Sequence, residues 1–123
     1  MSDIFIGTDI LSIPRLKKTI NSSHRDKFYN RIFTKNEIDY CNNKVDSIIH
    51  FAGRFAAKEA IKKAILSSEI INSISMKSIE IISGNNRKPE VNLNFRSKLQ
   101  LRCKVSISHT DEYAIAFALF EIL

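Results

Sequence analysis

The sequence predicts an α+β fold built around one long helix. Within residues 45–66, small or apolar side chains recur three to five positions apart, which indicates a helix with a buried face. Short segments with alternating apolar residues lie near both ends of the chain, which favours strands. Strand segments mixed with helices are typical of the α+β class.

The chain begins with a predicted strand and a short helix. Residues 3–10 alternate and are rich in isoleucine, so they predict a strand with Asp9 at its far end. Pro14 fits the first turn of a short helix that continues through Ile20. The polar residues 21–24 end this helix.

Two more short helices are expected before the long one. The first covers about residues 25–32. Thr34 and Glu37 have the spacing of a capping box, so a helix of about eight residues follows and ends near Cys41. The long helix then covers about residues 45–66.

The second half of the chain predicts mainly strands. Residues 84–87 form the turn of a hairpin, and residues 97–102 are expected to form a short helix. Residues 67–75 favour no element. The predicted strands cover residues 76–83, 89–95, 103–108 and 112–121.

Composition limits the class of protein. A chain of 123 residues is the size of one domain, residues 1–123, and 44% hydrophobic residues suffice for a core. The sequence has neither a long apolar run nor the start of a signal peptide, so we expect a cytoplasmic protein. Cys41 and Cys103 lack metal-ligand spacing, which favours free thiols in a reducing compartment.

The net charge of +6 favours an anionic partner. Nucleic acid, a phosphate-rich small molecule and an acidic protein all fit this charge, so a small basic nucleic-acid-binding protein is an alternative. Phe51, Phe55 and Phe117 lie in apolar segments and are expected in the core, which disfavours nucleic-acid stacking. Tyr29 and Tyr40 lie in more polar segments and leave the alternative open.

The long helix contains one carboxylate among cations. Glu59 and Lys63 are four residues apart and share a side, while Arg54 and Lys58 form a neighbouring line. This pattern suits a metal ion held by the carboxylate and a polyphosphate held by the cations. The alternative is a solvated helix whose charges form i,i+4 pairs, each contributing about 0.3–0.5 kcal/mol.

Two further segments extend this pattern into a resemblance. They are residues 4–10 (Ile-Phe-Ile-Gly-Thr-Asp-Ile) and residues 105–116 (Val-Ser-Ile-Ser-His-Thr-Asp-Glu-Tyr-Ala-Ile-Ala). Together with residues 54–64, in this order, they resemble the holo-acyl-carrier-protein synthases, which are small phosphopantetheinyl transferases. The resemblance implies a small antiparallel sheet packed on the long helix and a homotrimer with active sites between subunits.

The resemblance also implies a reaction. Phosphopantetheine would move from coenzyme A to a serine of an acyl carrier protein, releasing adenosine 3′,5′-bisphosphate and supporting fatty acid biosynthesis. Asp9 and Glu59 match the metal-binding carboxylates, and Mg²⁺ typically takes one or two of these. Without the resemblance, Asp9 could cap a turn before Pro14, and Glu59 could pair with Lys62 or Lys63.

The basic residues of the helix receive separate expected roles. Lys63 matches the lysine that stabilises the pyrophosphate, and Arg54 matches an arginine suited to the 3′-phosphate of coenzyme A. Lys62 points about 100° away from Lys63 and is expected at the surface. Lys58 could contact phosphate or be solvated. Glu59, directly or through a metal-bound water, is the expected base for the serine proton.

The remaining family matches concern substrate binding. Coenzyme A is expected near Lys88 and Pro89 and near the strand-to-turn segment of Ser108, His109 and Thr110. His24 and His50 match no family motif. The basic residues beside Asp9 are expected to dock the acidic carrier protein, and they are Arg15, Lys17 and Lys18.

The chain departs from the family after the long helix, where many relatives have a glycine-rich loop. Residues 66–72 contain no glycine, so contacts to pantetheine could come from Ser67 or Ser68 or be absent. At the C-terminus, residues 114–119 are apolar on both faces of a strand, which fits burial against sister subunits.

Overall fold

The structure is a computed structural model that describes residues 3–123, and within this range it has four α-helices and five β-strands. The order of these elements confirms the α+β class. They are β1 (Asp3–Ser12), α1 (Ile13–Ile20), α2 (Arg25–Ile32), α3 (Lys35–Asn42), α4 (Ser47–Ser67), β2 (Ile79–Ser83), β3 (Pro89–Leu93), β4 (Leu101–His109) and β5 (Tyr113–Ile122).

The strands form two small antiparallel sheets. One sheet has the order β1-β5-β4, and β2 and β3 form a separate hairpin. In the three-stranded sheet, Asp9 is opposite Ala116, which is opposite Ile107. Residues in this register share a face of the sheet, so Asp9 and Ile107 both point towards α4.

Helix α4 packs directly on the three-stranded sheet through small residues. Ala114, Ala116 and Ala118 of β5 are fully or almost fully buried beneath it. A Cβ atom on Gly7 of β1 would lie 2.0 Å from the Ala60 carbonyl oxygen, and one on Gly53 would lie 3.1 Å from an Ile107 methyl carbon. The C-terminal half of α4 therefore contacts β1, and its N-terminal half contacts β4.

Aromatic rings join α2 to the N-terminal half of α4. Tyr29 stacks on Phe51 with ring centroids 4.7 Å apart, and Phe28 meets Phe55 edge to face at 5.3 Å. Phe51 is buried, as predicted, and Phe55 is partly buried against the same core; Phe33 is buried as well. Phe117 is 45% exposed, so the prediction that it lies in the core of the chain is wrong.

A buried ion pair links α3 to α4. The Lys58 amine donates to the Glu37 carboxylate at 2.5 Å, and both side chains have no exposed surface. The backbone amides of Thr34 and Ile81 also donate to Glu37. The capping box at Thr34 and Glu37 is confirmed. Neither expected role of Lys58 is borne out, because this side chain is neither solvated nor available to phosphate.

Several predicted boundaries are wrong. Asp9 lies inside β1 because pairing with β5 continues to Ser12. Residues 76–78 form a 3₁₀ turn before β2. Residues 97–102 form no helix: the Ser97 hydroxyl accepts from the Leu99 amide, a local bond that competes with helix formation, and β4 begins at Leu101.

The glycine-free loop begins with a serine-capped helix end. The hydroxyls of Ser67 and Ser68 donate to the carbonyls of Ala64 and Ile65. Glu69 follows with φ of 63°, a conformation in which glycine is preferred after a helix. Both hydroxyl protons are used inside the chain, which disfavours the expected role of these serines in binding pantetheine.

Among the described residues, no helix combines the length and the apolar character that crossing a membrane requires.

Candidate active site

Asp9 and Lys63 meet where β1 lies against α4. The Lys63 amine donates to the Asp9 carboxylate at 3.1 Å and to the Thr8 carbonyl at 3.0 Å. The Asp9 side chain is 18% exposed and that of Lys63 is 56% exposed. The close packing at Gly7 sets this approach, because Asp9 lies two residues further along the same strand face.

Glu59 lies one helical turn before Lys63, so its side chain is on the same side of α4. It is half-buried and lines a cavity of about 400 Å³. Other polar residues of this cavity are Arg31, Lys62 and Ser75, and apolar ones are Ile32, Phe55, Ile74 and Met76. Lys62 was expected at the surface, but it is half-buried beside Glu59. Lys63 therefore relates the two carboxylates: it contacts Asp9 directly, and Glu59 lies one turn before it on α4.

Asp9 and Glu59 are carboxylates of the kind that Mg²⁺ takes as protein ligands. Within residues 3–123, no group of three or more metal-binding side chains is found. Two carboxylates nevertheless fit Mg²⁺, which keeps several waters and takes further oxygens from phosphate. The alternative roles of the two carboxylates, a cap for Asp9 and an ion pair for Glu59, are disfavoured. Ser12 caps α1, and no ion pair of Glu59 is found in the described part of the chain.

Helix α1 presents the predicted docking residues beside this site. Arg15, Lys17 and Lys18 are all exposed. Arg15 also lines a cavity of about 300 Å³, together with Ile10, Leu11, Ser12, Leu16, Thr19, Phe28 and Phe55. Because Phe55 lines both this cavity and the Glu59 cavity, the basic helix lies next to the carboxylates.

Arg54 lies in a third cavity, of about 500 Å³, together with Lys88 and Pro89. Its guanidinium donates to the Ser83 hydroxyl at 3.2 Å and stacks over the Tyr40 ring at 3.8 Å from the centroid. Arg54 is only 7% exposed, and within the described chain its Nε atom is buried without a hydrogen-bond partner. An unused, oriented donor in a cationic cavity suits a phosphate group.

Seven residues of this cavity were not predicted as functional: Tyr40, His50, Ser83, Arg87, Val105, Ser106 and Ile107. The sequence could have placed His50 beside Arg54, because the two residues are four positions apart on the predicted helix. A hydrogen bond with Ser83 and the charge of Arg54 lower the pKa of Tyr40. Burial of the phenol acts in the opposite direction but is outweighed. Ser83 and Arg87 arrive from the hairpin, so only the fold brings them here.

Ser108, His109 and Thr110 are exposed at the β4–β5 turn, and none of them lines the Arg54 cavity. The Thr110 hydroxyl accepts from the amides of Glu112 and Tyr113, so it shapes the turn. The preceding residues Ser106 and Ile107 do line the cavity. The structure thus brings the predicted segment to the edge of the cavity.

The Arg54 cavity and the candidate metal-binding carboxylate Glu59 lie on different sides of α4. Arg54 and Glu59 are five residues apart, which corresponds to about 140° around the helix and about 7.5 Å along it. Arg54 faces the β4 side, whereas Lys63 reaches β1. A single chain therefore has two separate candidate regions, called half-sites below: the Arg54 cavity and the Asp9–Lys63 contact with Glu59 beside it on α4.

The outer face of the three-stranded sheet is apolar. Side chains of β1 and β5 that point away from α4 are large and exposed, with Ile6 at 59% and Phe117 at 45%. The other exposed apolar side chains of this face are Ile4, Ile10, Tyr113 and Ile115. Such a patch is typical of a protein–protein interface.

Comparison with known proteins identifies the class. The model of the 4′-phosphopantetheinyl transferase superfamily matches residues 5–118. A holo-(acyl-carrier-protein) synthase from Chlamydia pneumoniae is 43% identical over 122 residues, covering 97% of this chain and 98% of that protein. The one from Protochlamydia amoebophila (strain UWE25) is 42% identical over 121 residues, covering 94% and 95%.

A solved structure agrees with these relatives. The crystal structure of the Helicobacter pylori holo-(acyl-carrier-protein) synthase in complex with coenzyme A has a TM-score of 0.73 and 36% identity, covering 92% of this chain and 96% of that one. The chain therefore belongs to the 4′-phosphopantetheinyl transferase superfamily and, within it, to the holo-(acyl-carrier-protein) synthases. The predicted family is confirmed, and the chain is an enzyme of the transferase class.

Proposed function

We propose that this chain transfers the 4′-phosphopantetheine arm of coenzyme A to a serine hydroxyl of an apo-acyl carrier protein. The observation that carries the proposal is the contact of Lys63 with Asp9 where β1 lies against α4, with Glu59 one helical turn before Lys63 on the same helix. Two carboxylates and an exposed amine suit a pyrophosphate with a divalent cation.

In the proposed reaction, the serine oxygen attacks the β-phosphorus of coenzyme A. A new P–O bond forms to serine, the bond to the bridging oxygen breaks, and adenosine 3′,5′-bisphosphate leaves. Glu59 accepts the serine proton. The Lys63 amine, held by Asp9 and the Thr8 carbonyl, stabilises the negative charge on the leaving phosphate.

Asp9 and Glu59 are the residues proposed to hold Mg²⁺. The bound ion would supply charge neutralisation at the pyrophosphate oxygens. The Asp9 carboxylate is already oriented by Lys63, and Glu59 is half-buried with its side chain towards a cavity.

The Arg54 cavity is proposed to take the 3′-phosphate and nucleotide of coenzyme A. The free Nε of Arg54 and the cationic side chain of Lys88 favour the phosphate, and Pro89 offers an apolar surface for the base. Ser108, His109 and Thr110 lie at the cavity edge and are proposed to contact the same nucleotide.

The separation of the two half-sites supports a shared active site. We infer a homotrimer in which one subunit supplies Asp9, Glu59 and Lys63 and its neighbour covers the nucleotide. The exposed apolar face of β1 and β5 is the proposed subunit contact. Light scattering tests it: about three times the 14.1 kDa of the chain is expected, and full activity of a particle near 14.1 kDa would exclude a shared site.

The basic surface of α1 is proposed to dock the acidic carrier protein. Arg15, Lys17 and Lys18 are exposed, and Arg15 lies beside a cavity that shares Phe55 with the Glu59 cavity. A carrier bound over α1 would deliver its serine to the carboxylates. We propose a cytoplasmic role in fatty acid biosynthesis, in keeping with the free Cys41 and Cys103.

An intact-mass assay tests the function. The chain is incubated with coenzyme A, magnesium and an apo-acyl carrier protein, and a gain of about 340 Da on the carrier, for one phosphopantetheine arm, is expected. A chelator should abolish the gain and added magnesium should restore it. A carrier of unchanged mass at saturating coenzyme A and magnesium would contradict the proposal. The nucleic-acid alternative is not favoured by the family membership.

A further inference from the structure

His50 lies inside the Arg54 cavity, although no family motif assigns it a role. It is half-buried on α4, four residues before Arg54, so both side chains face the same cavity. Its ring meets the Tyr40 ring edge to face at 5.9 Å and an angle of 75°. Tyr40 in turn stacks on the Arg54 guanidinium. His50 is therefore packed into the group that orients Arg54.

The charges around His50 are mainly cationic. Arg54 faces it from α4 itself, and Lys44 and Asp46 face it from the segment before α4. His109 faces it from β4, and the phenol of Tyr40 faces it from α3. Arg87 and Lys88 of the hairpin line the same cavity. Burial and the charges of Arg54 and Lys44 lower the pKa of His50 below its usual value, so it is neutral in the free protein near pH 7.

We propose that His50 takes up a proton when a phosphomonoester dianion binds beside Arg54, and so makes the affinity for coenzyme A depend on pH. This inference rests on the proposed function, which supplies such a group as the 3′-phosphate of coenzyme A. The dianion opposes the cations that keep His50 neutral, and a nearby negative charge favours the imidazolium. Arg54, Arg87 and Lys88 line the same cavity as His50, so a phosphate bound by these cations would lie close to the His50 ring.

The direction of the pH dependence follows from proton linkage. The pKa of His50 is lowered in the free protein and rises when the phosphate binds, so the complex holds more protons between these two values. Binding must therefore weaken as the pH rises through that window. The phosphate itself gains a proton only near pH 6, so measurements between about pH 6.5 and 8 separate the two titrations.

The chain offers matched controls because it has only three histidines, His24, His50 and His109. His50→Gln removes the titration and keeps a polar side chain, and His50→Phe keeps the aromatic contact with Tyr40. His24→Gln removes an exposed histidine at the start of α2, outside the cavity. Dephospho-coenzyme A lacks the 3′-phosphate and tests the source of the effect.

The experiment is calorimetric binding of coenzyme A to the 123-residue chain, in two buffers of different ionisation enthalpy. Wild type and His24→Gln should take up about half a proton more than either His50 variant at pH 7. Their dissociation constants should rise about 3- to 10-fold between pH 6.5 and 8, against less than about 2-fold for both His50 variants. The His50 ring signal in NMR should titrate at higher pH in the complex.

Two results would overturn the inference. One is equal proton uptake by wild type and both His50 variants. The other is equal uptake with coenzyme A and dephospho-coenzyme A. In either case, if the enzyme still transferred phosphopantetheine, the proposed function would remain supported and only the inference would be wrong. If coenzyme A failed to bind at every pH and transfer was absent, both the function and the inference would be wrong.

Discussion

Lys58 and Lys63 lie five residues apart on the same helix, yet their surroundings are opposite. Lys58 has no exposed surface and donates to the buried carboxylate of Glu37, which also accepts two backbone amides. Lys63 is 56% exposed and donates to Asp9 and to the Thr8 carbonyl where β1 lies against α4. One short motif thus contains a lysine inside the core and a lysine at the candidate active site.

The difference shows that burial, more than residue type, decides what each lysine can do. Burial lowers the pKa of Lys58, and the Glu37 carboxylate opposes part of that shift. If one partner is removed, the other is left as an unpaired charge in the core, which is costly. The exposed pair of Lys63 contributes at most about 1 kcal/mol, so Lys63 is free to exchange its contacts for a ligand.

The largest expected effect is on stability. Lys58→Met should lower the free energy of unfolding by about 3–5 kcal/mol, because Glu37 would remain buried without its cation. Denaturant unfolding at fixed chain concentration measures this change. Transfer per folded molecule should stay within about threefold of wild type. Wild-type stability in the variant would show that the buried pair does not hold α4.

The converse substitution should affect activity alone. Lys63→Met should reduce transfer by about 10²- to 10³-fold, since one oriented cation at the developing charge is lost. The free energy of unfolding should change by less than about 1 kcal/mol. Lys98→Met, an exposed lysine away from the site, is the control. If the two variants had equal rates, Lys63 would have no role at the pyrophosphate.

Double-mutant cycles on stability sharpen the contrast. The pair Glu37→Gln and Lys58→Met should show a coupling energy of about 1–3 kcal/mol, because the side chains are in direct contact without water. The pair Asp9→Asn and Lys63→Met should show less than about 0.5 kcal/mol. Similar coupling in both cycles would mean that exposure does not separate the two lysines.

The smallest expected effect concerns Arg15, an exposed cation on α1. Arg15→Glu on α1 should raise the KM for carrier protein about 10-fold and change the KM for coenzyme A less than about twofold. Steady-state kinetics at varied concentrations of each substrate separate the two. A similar rise in both constants would argue that Arg15 does not act in docking.

The local patterns of the chain predicted most elements of the fold. The Thr34–Glu37 capping box and the 3.6-residue period of α4 were sufficient, because both depend on residues a few positions apart. Residues 97–102 were misassigned because side-chain hydrogen bonds and pairing with β5 compete with helix formation there.

The burial of Lys58 could not be predicted in this way. A prediction of burial from helical periodicity assumes that one face of the helix is solvated. Most of the circumference of α4 is instead covered by α3, the sheet and the hairpin. Its partner Glu37 lies 21 residues earlier, and only the fold joins them. The same holds for the Arg54 cavity, which combines residues of α3, α4, β4 and the hairpin.

The central claim is that Asp9, Glu59 and Lys63 form the reaction centre, whereas Lys58 only stabilises the helix that carries them. Single-turnover transfer, followed by intact mass of the carrier protein, tests it most directly on wild type, Glu59→Gln and Lys58→Met. At saturating magnesium, Glu59→Gln should be at least about 10³-fold slower with unchanged circular dichroism, and folded Lys58→Met should match wild type. A Glu59→Gln rate within tenfold of wild type would contradict the account.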